Sequence, residues 1–71
     1  MDLTVATIGK EYTIHSINTQ EPELDAFLFS LGCFSGEPIT VISRRRSSCT
    51  VAIKDGRYCI DPRLARAITL S

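Results

Sequence analysis

The sequence predicts a mainly β fold: a small, partly closed barrel of five short strands, with one α-helix after the first strand and a short helical turn before the last. Apolar and polar residues alternate over several short segments, one apolar run has helical spacing, and Asp55-Gly56 is a strong hairpin signal. With 71 residues the chain can build only one hydrophobic core, so we expect a single domain over residues 1–71. Exposed sheet edges can pair with other chains and cause aggregation, so we expect the five strands to protect their edges by partly closing into a barrel.

The N-terminal half predicts one strand and the helix. Residues 1–10 are expected to form a loosely held lead-in, in which 4–8 add at most a short edge segment. Alternation over residues 11–17 predicts the first strand, and Pro22 suits the first turn of a helix. Gly32 is a typical helix stop. Helical spacing assigns four residues to the buried face of this helix: Leu24, Phe27, Leu28 and Leu31.

The C-terminal half predicts the remaining strands. Residues 37–43 and 48–54 form two of them, and a two-residue turn at Asp55-Gly56 would place Lys54 opposite Arg57. This register aligns two inward rows of residues, Val51/Ile53 and Tyr58/Ile60. Asp61 is expected to cap a helical turn that begins at Pro62 and leads to a closing strand over 67–70, whose inward residues are Ile68 and Leu70.

Charge and cysteine content suggest where the protein works. Formal net charge is zero, but residues 1–37 hold six acids and one lysine, whereas 38–71 hold seven bases and two acids. An odd number of cysteines and an acid at Asp2, where a signal peptide has basic residues, indicate a reducing compartment. No apolar run is long enough to span a bilayer. We therefore expect a cytoplasmic protein.

Four residues are candidate metal ligands: His15, Cys33, Cys49 and Cys59. No two of them have Cys-x-x-Cys or His-x-x-x-His spacing, and in the predicted hairpin Cys49 and Cys59 point to opposite faces. Thiolate and imidazole also suit zinc better than ferrous iron. We predict no metal site and no cofactor, with Cys33 and Cys49 as apolar side chains and His15 solvated.

Catalysis and nucleic-acid binding are both disfavoured. The chain has one histidine and no nucleophile–base pair, and the loop between Gly32 and Gly36 lacks the Lys-Ser/Thr of a phosphate loop. We therefore predict no enzymatic activity. Arg44, Arg45, Arg46 and Arg57 offer phosphate contacts, but the net charge is zero and no aromatic residues alternate with these arginines.

Three sequence patterns together resemble the FeoA family, ferrous iron transport protein A. They are Tyr12-x-Ile14-x-x-Ile17, then Leu28-x-x-Leu31-Gly32-x-x-x-Gly36-x-x-Ile39-x-Val41, then Ile60-x-x-x-Leu64-Ala65-x-x-Ile68. The resemblance implies an SH3-like barrel. It also implies a small cytoplasmic accessory protein that binds and modulates the FeoB membrane ferrous-iron transporter. FeoA-like domains also form the C-terminal part of iron-dependent repressors, so a metal-responsive or nucleic-acid-associated module is the alternative. Because no DNA-binding segment precedes residue 1, we expect the stand-alone form.

The candidate partner-binding residues lie in two places. Phe29 falls beside the predicted buried stripe of the helix, and Cys33 and Phe34 lie in the loop that follows it. The second place is the basic segment Arg44, Arg45 and Arg46, where many family members have a Pro-Leu-Gly-x-Pro-like linker. If Val41 faces Val51, the tip of this hairpin is Arg45-Arg46-Ser47. The alternative for the first place is that Phe34 plugs the barrel end and Phe29 packs on the N-terminal lead-in. Self-association stays open.

Overall fold

The computed structural model describes all 71 residues and contains one antiparallel sheet of five strands with two α-helices. In chain order the elements are a 3-10 turn at Leu3–Val5, β1 (Glu11–Ile17), α1 (Pro22–Ser30), β2 (Pro38–Arg45), β3 (Ser48–Ile53), β4 (Gly56–Ile60), α2 (Pro62–Ala67) and β5 (Ile68–Leu70). The strands are ordered β4-β3-β2-β1-β5, so β4 and β5 are the two edges and do not pair with each other. This confirms the mainly β, partly closed fold.

The core is one cluster of fourteen buried residues on the inner face of the sheet. It consists of Leu3, Ala6, Ile14, Leu28, Cys33, Ile39, Val41, Cys49, Val51, Ile53, Ile60, Ala65, Ile68 and Leu70. Every second residue of β3 belongs to it, as the alternation predicts. Burying one large aliphatic side chain contributes about 1.5–3 kcal/mol, so the cluster as a whole supplies the main driving force for folding.

The N-terminal segment is part of this core, and the expected loosely held lead-in is wrong. Leu3 is 0% exposed and Ala6 is 1% exposed. A 3-10 turn has three residues per turn, so these two residues share one face and both pack inward. Backbone contacts with β5 reinforce this position, because the Leu70 N–H donates to the Met1 carbonyl over 2.7 Å. The segment therefore covers the outer edge of β5.

Helix α1 buries a narrower face than its sequence predicts. Leu28 is buried, Leu24 and Leu31 are half-buried, and Phe27 is 49% exposed, so the predicted burial of Phe27 is wrong. Each helical residue advances about 100° around the axis, which places Phe27 and Phe29 on the two flanks of a stripe centred on Leu28. No other helix or strand covers Phe27, and Phe29 packs only against the Phe34 ring of the following loop, so both side chains stay exposed.

The β3–β4 hairpin has the predicted faces but a different register. Ile53 pairs with Gly56 and Val51 with Tyr58, so the turn is Lys54-Asp55, and Lys54 has a φ of 53°. The predicted pairing of Lys54 with Arg57 is therefore wrong by two residues. A two-residue shift leaves every side chain on its original face, so the inward rows are confirmed.

Close packing explains why the turn precedes the glycine. Gly56 does not have a positive φ, but a Cβ atom built on it would lie 2.2 Å from the Tyr58 hydroxyl oxygen. Gly56 therefore provides space for the Tyr58 ring, which packs against the core. Glycine is required at this position because it has no side chain, and not because the backbone needs a positive φ.

Two irregularities adjust the neighbouring strands. A bulge between Ile14 and Ser16 in β1 turns Ile17 toward the core and leaves Ser16 and His15 exposed. In β2 the pairing of Val41 with Val51 is confirmed, but a shift between Val41 and Ser43 pairs Arg45 with Ser48. The hairpin tip is therefore Arg46-Ser47, one residue shorter than predicted.

Replacing Gly56 by alanine tests the packing against Tyr58. We expect Gly56→Ala to lower the free energy of unfolding by about 1–3 kcal/mol, because the added methyl group overlaps the ring. In a Tyr58→Ala background the same change should be neutral or stabilising, since alanine tolerates this φ and restricts the unfolded chain. Urea unfolding of the four variants measures the coupling, and an equal cost in both backgrounds would contradict it.

Candidate partner-binding surface

The loop from α1 to β2 is fixed at both ends by backbone hydrogen bonds. Gly32 ends the helix with a φ of 96°, a conformation that favours glycine. The next N–H, that of Cys33, donates to the Leu28 carbonyl over 3.0 Å, and the Gly36 N–H donates to the Ile14 carbonyl of β1 over 2.8 Å. The three residues between the glycines therefore have a defined position relative to the helix and the sheet.

This loop places Phe34 against Phe29, at the end of the helix. The two ring centroids lie 4.9 Å apart with the ring planes tilted by 36°, a favourable aromatic pair. Phe29 is nevertheless 63% exposed and Phe34 is half-buried. The Lys54 ammonium lies 5.3 Å from the Phe34 centroid on the other side of the groove and also forms an ion pair with Glu37.

Phe29, Phe34, Lys54 and Tyr58 form what we call the aromatic patch. They line one open groove of about 540 Å³ between the helix end and the β3–β4 turn. Lys54 and Tyr58 were not among the residues predicted for this surface. Only the true hairpin register shows that the turn begins at Lys54, and the sequence signal at Asp55-Gly56 points to a different turn.

Cys33 does not belong to this surface, in contrast to its prediction as a partner-binding residue. Its side chain is 1% exposed and lies in the core, whereas Phe34 is half-buried and Ser35 is exposed. Burial raises the pKa of the Cys33 thiol to about 11 because the thiolate is poorly solvated there. Cys33 therefore behaves as a small apolar side chain.

The arginine segment lies at the other end of the sheet. Strand β3 begins beside the hairpin tip at Ser48 and ends at Ile53, next to Lys54. Five steps of about 3.3 Å separate the tip from the aromatic patch by roughly 17 Å along this strand. Arg44, Arg45 and Arg46 are exposed, but the Arg44 guanidinium donates to two backbone carbonyls, those of Leu3 and Ala6. The structure thus separates the candidate residues into two surfaces.

The four candidate metal ligands are dispersed. Cys49 is buried on the inward row of β3, whereas Cys59 is exposed and His15 lies at the β1 bulge. The structure contains no group of three histidine, cysteine, aspartate or glutamate side chains close enough to hold one ion. Neither α-helix is long and apolar enough to cross a membrane.

The chain matches one known protein family over its whole length. The family model described as "FeoA domain" matches residues 1–71. The chain belongs to the FeoA domain family. This family is associated with ferrous iron transport. The comparison with curated proteins finds no significant match.

Two solved structures share the fold of this FeoA domain. The zinc complex of FeoA from Stenotrophomonas maltophilia, a procaryotic SH3 domain protein suggested to activate ferrous iron transport, superposes with a TM-score of 0.87 at 14% identity. The match covers 100% of this chain and 89% of that one. A manganese-dependent transcriptional repressor superposes with a TM-score of 0.86 at 23% identity over 96% of this chain. The chain spans 39% of the repressor's length. These identities establish the SH3-like fold alone.

Thiol reactivity tests the placement of the cysteines. We expect one thiol per folded chain to react rapidly with a disulfide reagent at pH 8, and Cys59→Ser to abolish this fast reaction. At this pH the raised pKa leaves the Cys33 thiolate about 100-fold rarer than that of an ordinary thiol, and burial further blocks access. Cys33→Ser serves as the control and should leave the fast phase intact.

One result of the thiol assay would contradict this placement of the cysteines. A fast phase lost in Cys33→Ser would show that the loop exposes its thiol.

Burial of Cys33 also makes stability depend on pH. The unfolded chain ionises Cys33 near its ordinary pKa, whereas the folded chain does so only at about 11, so the free energy of unfolding should fall as the pH rises between these values.

Proposed function

We propose that this FeoA domain is a cytoplasmic, non-catalytic accessory protein of ferrous iron uptake that binds and modulates a FeoB-like membrane transporter. Membership of the FeoA family supports the link to ferrous iron transport. The contact is a protein–protein interface with the cytoplasmic part of the transporter. The aromatic patch is the primary contact surface.

The exposure of the Phe29 ring is the main observation that supports this proposal. A phenylalanine that is 63% exposed leaves a large apolar area in water, and the neighbouring Phe34 ring extends that area. Exposed aromatic side chains held in one orientation are typical of interface hot spots. The hydrogen bonds at Cys33 and Gly36 hold the loop before any partner arrives, so little conformational entropy is lost on binding.

The chemistry of the groove indicates what the partner presents. Its walls combine the Phe29–Phe34 pair with the Lys54 ammonium, whose side chain is 52% exposed. An apolar side chain of the partner can pack on the rings, while a nearby carboxylate shares the exposed Lys54 ammonium with Glu37. We therefore expect a partner segment with an apolar residue next to an acidic one.

Binding of single variants to the cytoplasmic part of the transporter tests this surface. We expect Phe29→Ser and Phe34→Ser to weaken binding by at least about 30-fold each, the loss typical of a hot spot of about 2 kcal/mol. Phe27→Ser is the matched control, because Phe27 is 49% exposed on the same helix but lies outside the groove. It should bind like the parent protein.

The outcome that would remove the proposal is unaltered affinity in both patch variants with folding intact. A variant with Arg44, Arg45 and Arg46 all changed to glutamate tests whether the hairpin tip also contacts the transporter. Arg44 anchors the N-terminal segment, so the triple variant could fold less stably than the parent protein. The stability and binding of a variant that changes only Arg45 and Arg46 provide the comparison.

The similarity to a transcriptional repressor supports a second candidate function. The match covers 96% of this chain, so the same domain can also serve as a metal-responsive or nucleic-acid-associated module. This alternative predicts salt-dependent binding to oligonucleotides, which the accessory function does not require.

A further inference from the structure

A cleft at the end of the molecule opposite the aromatic patch is lined by four arginines. Arg44, Arg45 and Arg46 approach it from the β2–β3 hairpin and Arg66 from α2, around a cavity of about 210 Å³. We call it the arginine cleft. One water molecule occupies about 30 Å³ of liquid, so the cavity has room for a small tetrahedral anion.

The positive charge of this cleft is not neutralised within the protein. The structure contains two ion pairs, Lys54–Glu37 and Arg63–Asp61, and neither involves an arginine of the cleft. No aspartate or glutamate lines the cavity. Four arginine residues therefore line one concave site in a chain whose net charge is zero. Their mutual repulsion favours uptake of an anion.

One of these arginines is held in place before any ligand binds. The Arg44 Nη2 atom donates to the Leu3 carbonyl oxygen over 2.8 Å and to the Ala6 carbonyl oxygen over 2.6 Å. Both of these residues are buried, so the anchor points belong to the core. A guanidinium has five N–H donors, so these two bonds do not use all the donors of Arg44, which lines the cleft.

The remaining lining residues suit an oxyanion. The cavity also contacts the hydroxyl-bearing residues Thr4 and Ser48. Arginine side chains bind phosphate through paired N–H···O bonds, which gives both affinity and a defined orientation. Hydroxyl groups add donors to oxygen atoms that the guanidinium groups leave open.

We propose that the arginine cleft binds a phosphate group, either free or as part of an anionic lipid headgroup. The site is independent of the aromatic patch, because roughly 17 Å of β3 separates the two. The proposal does not require the contact with the transporter. Phosphate would be a ligand for the basic β2–β3 hairpin that cannot be inferred from the SH3-like fold alone.

Titration with inorganic phosphate at constant ionic strength, followed by amide NMR spectra, tests the free form. We expect saturable shifts at Thr4, Ser48 and Arg66, with Phe29 and Phe34 unchanged. The double variant Arg46→Gln/Arg66→Gln should weaken binding at least about tenfold, since each loses a charge-assisted hydrogen bond. The matched control Arg57→Gln/Arg63→Gln removes the same charge outside the cleft and should bind phosphate like the parent protein.

Sedimentation with vesicles distinguishes the two sources of phosphate. Binding to phosphatidylglycerol vesicles but not to phosphatidylcholine vesicles, lost in the cleft variant and kept in the control variant, identifies a lipid headgroup. Saturable binding of inorganic phosphate without sedimentation identifies a free ligand. Failure of both assays, or equal weakening in the cleft and control variants, would overturn the proposal.

Discussion

The turn between α1 and β2 is the constraint on which the rest of the structure depends. The left-handed Gly32 ends the helix, and the Cys33 N–H bonds back to the Leu28 carbonyl. Beyond the loop, the Gly36 N–H and the Glu37 carbonyl both bond to Ile14 of β1. These bonds join α1 to strand β1, bury Cys33, and place the Phe34 ring beside Phe29.

Strand β3 connects the core with both candidate surfaces. Its inward residues fill the core, its C-terminal end supplies Lys54 to the aromatic patch, and its N-terminal end supports the arginine cleft. The two surfaces differ in chemistry, since one combines aromatic rings with Lys54 and Asp55, and the other has four arginines and no acidic residue. Because roughly 17 Å of β3 separates them, the proposed protein partner and the proposed phosphate ligand would not compete for one surface.

Local signals in the sequence predict much of this fold, and tertiary packing decides the rest. Alternation defines β1 and β3, and the Asp61 carboxylate accepts from the Leu64 N–H over 2.9 Å as a cap should. The hairpin register follows instead from the fit of the Tyr58 ring over Gly56, which no local pattern reveals. Exposure of Phe27 and burial of Leu3 likewise depend on which elements cover the helix and the edge of β5. The aromatic patch was therefore half predictable: Phe29 and Phe34 from the sequence, Lys54 and Tyr58 only from the register.

The central claim is that the preformed Phe29–Phe34 pair is where this FeoA domain meets the transporter. Cross-saturation NMR maps this contact directly, because saturating the cytoplasmic part of the transporter attenuates only amide signals at the interface. The account predicts attenuation over residues 29–34 and 54–58. Attenuation confined to the outer edge of β4 or to the Arg46-Ser47 tip, with residues 29–34 unaffected, would contradict it.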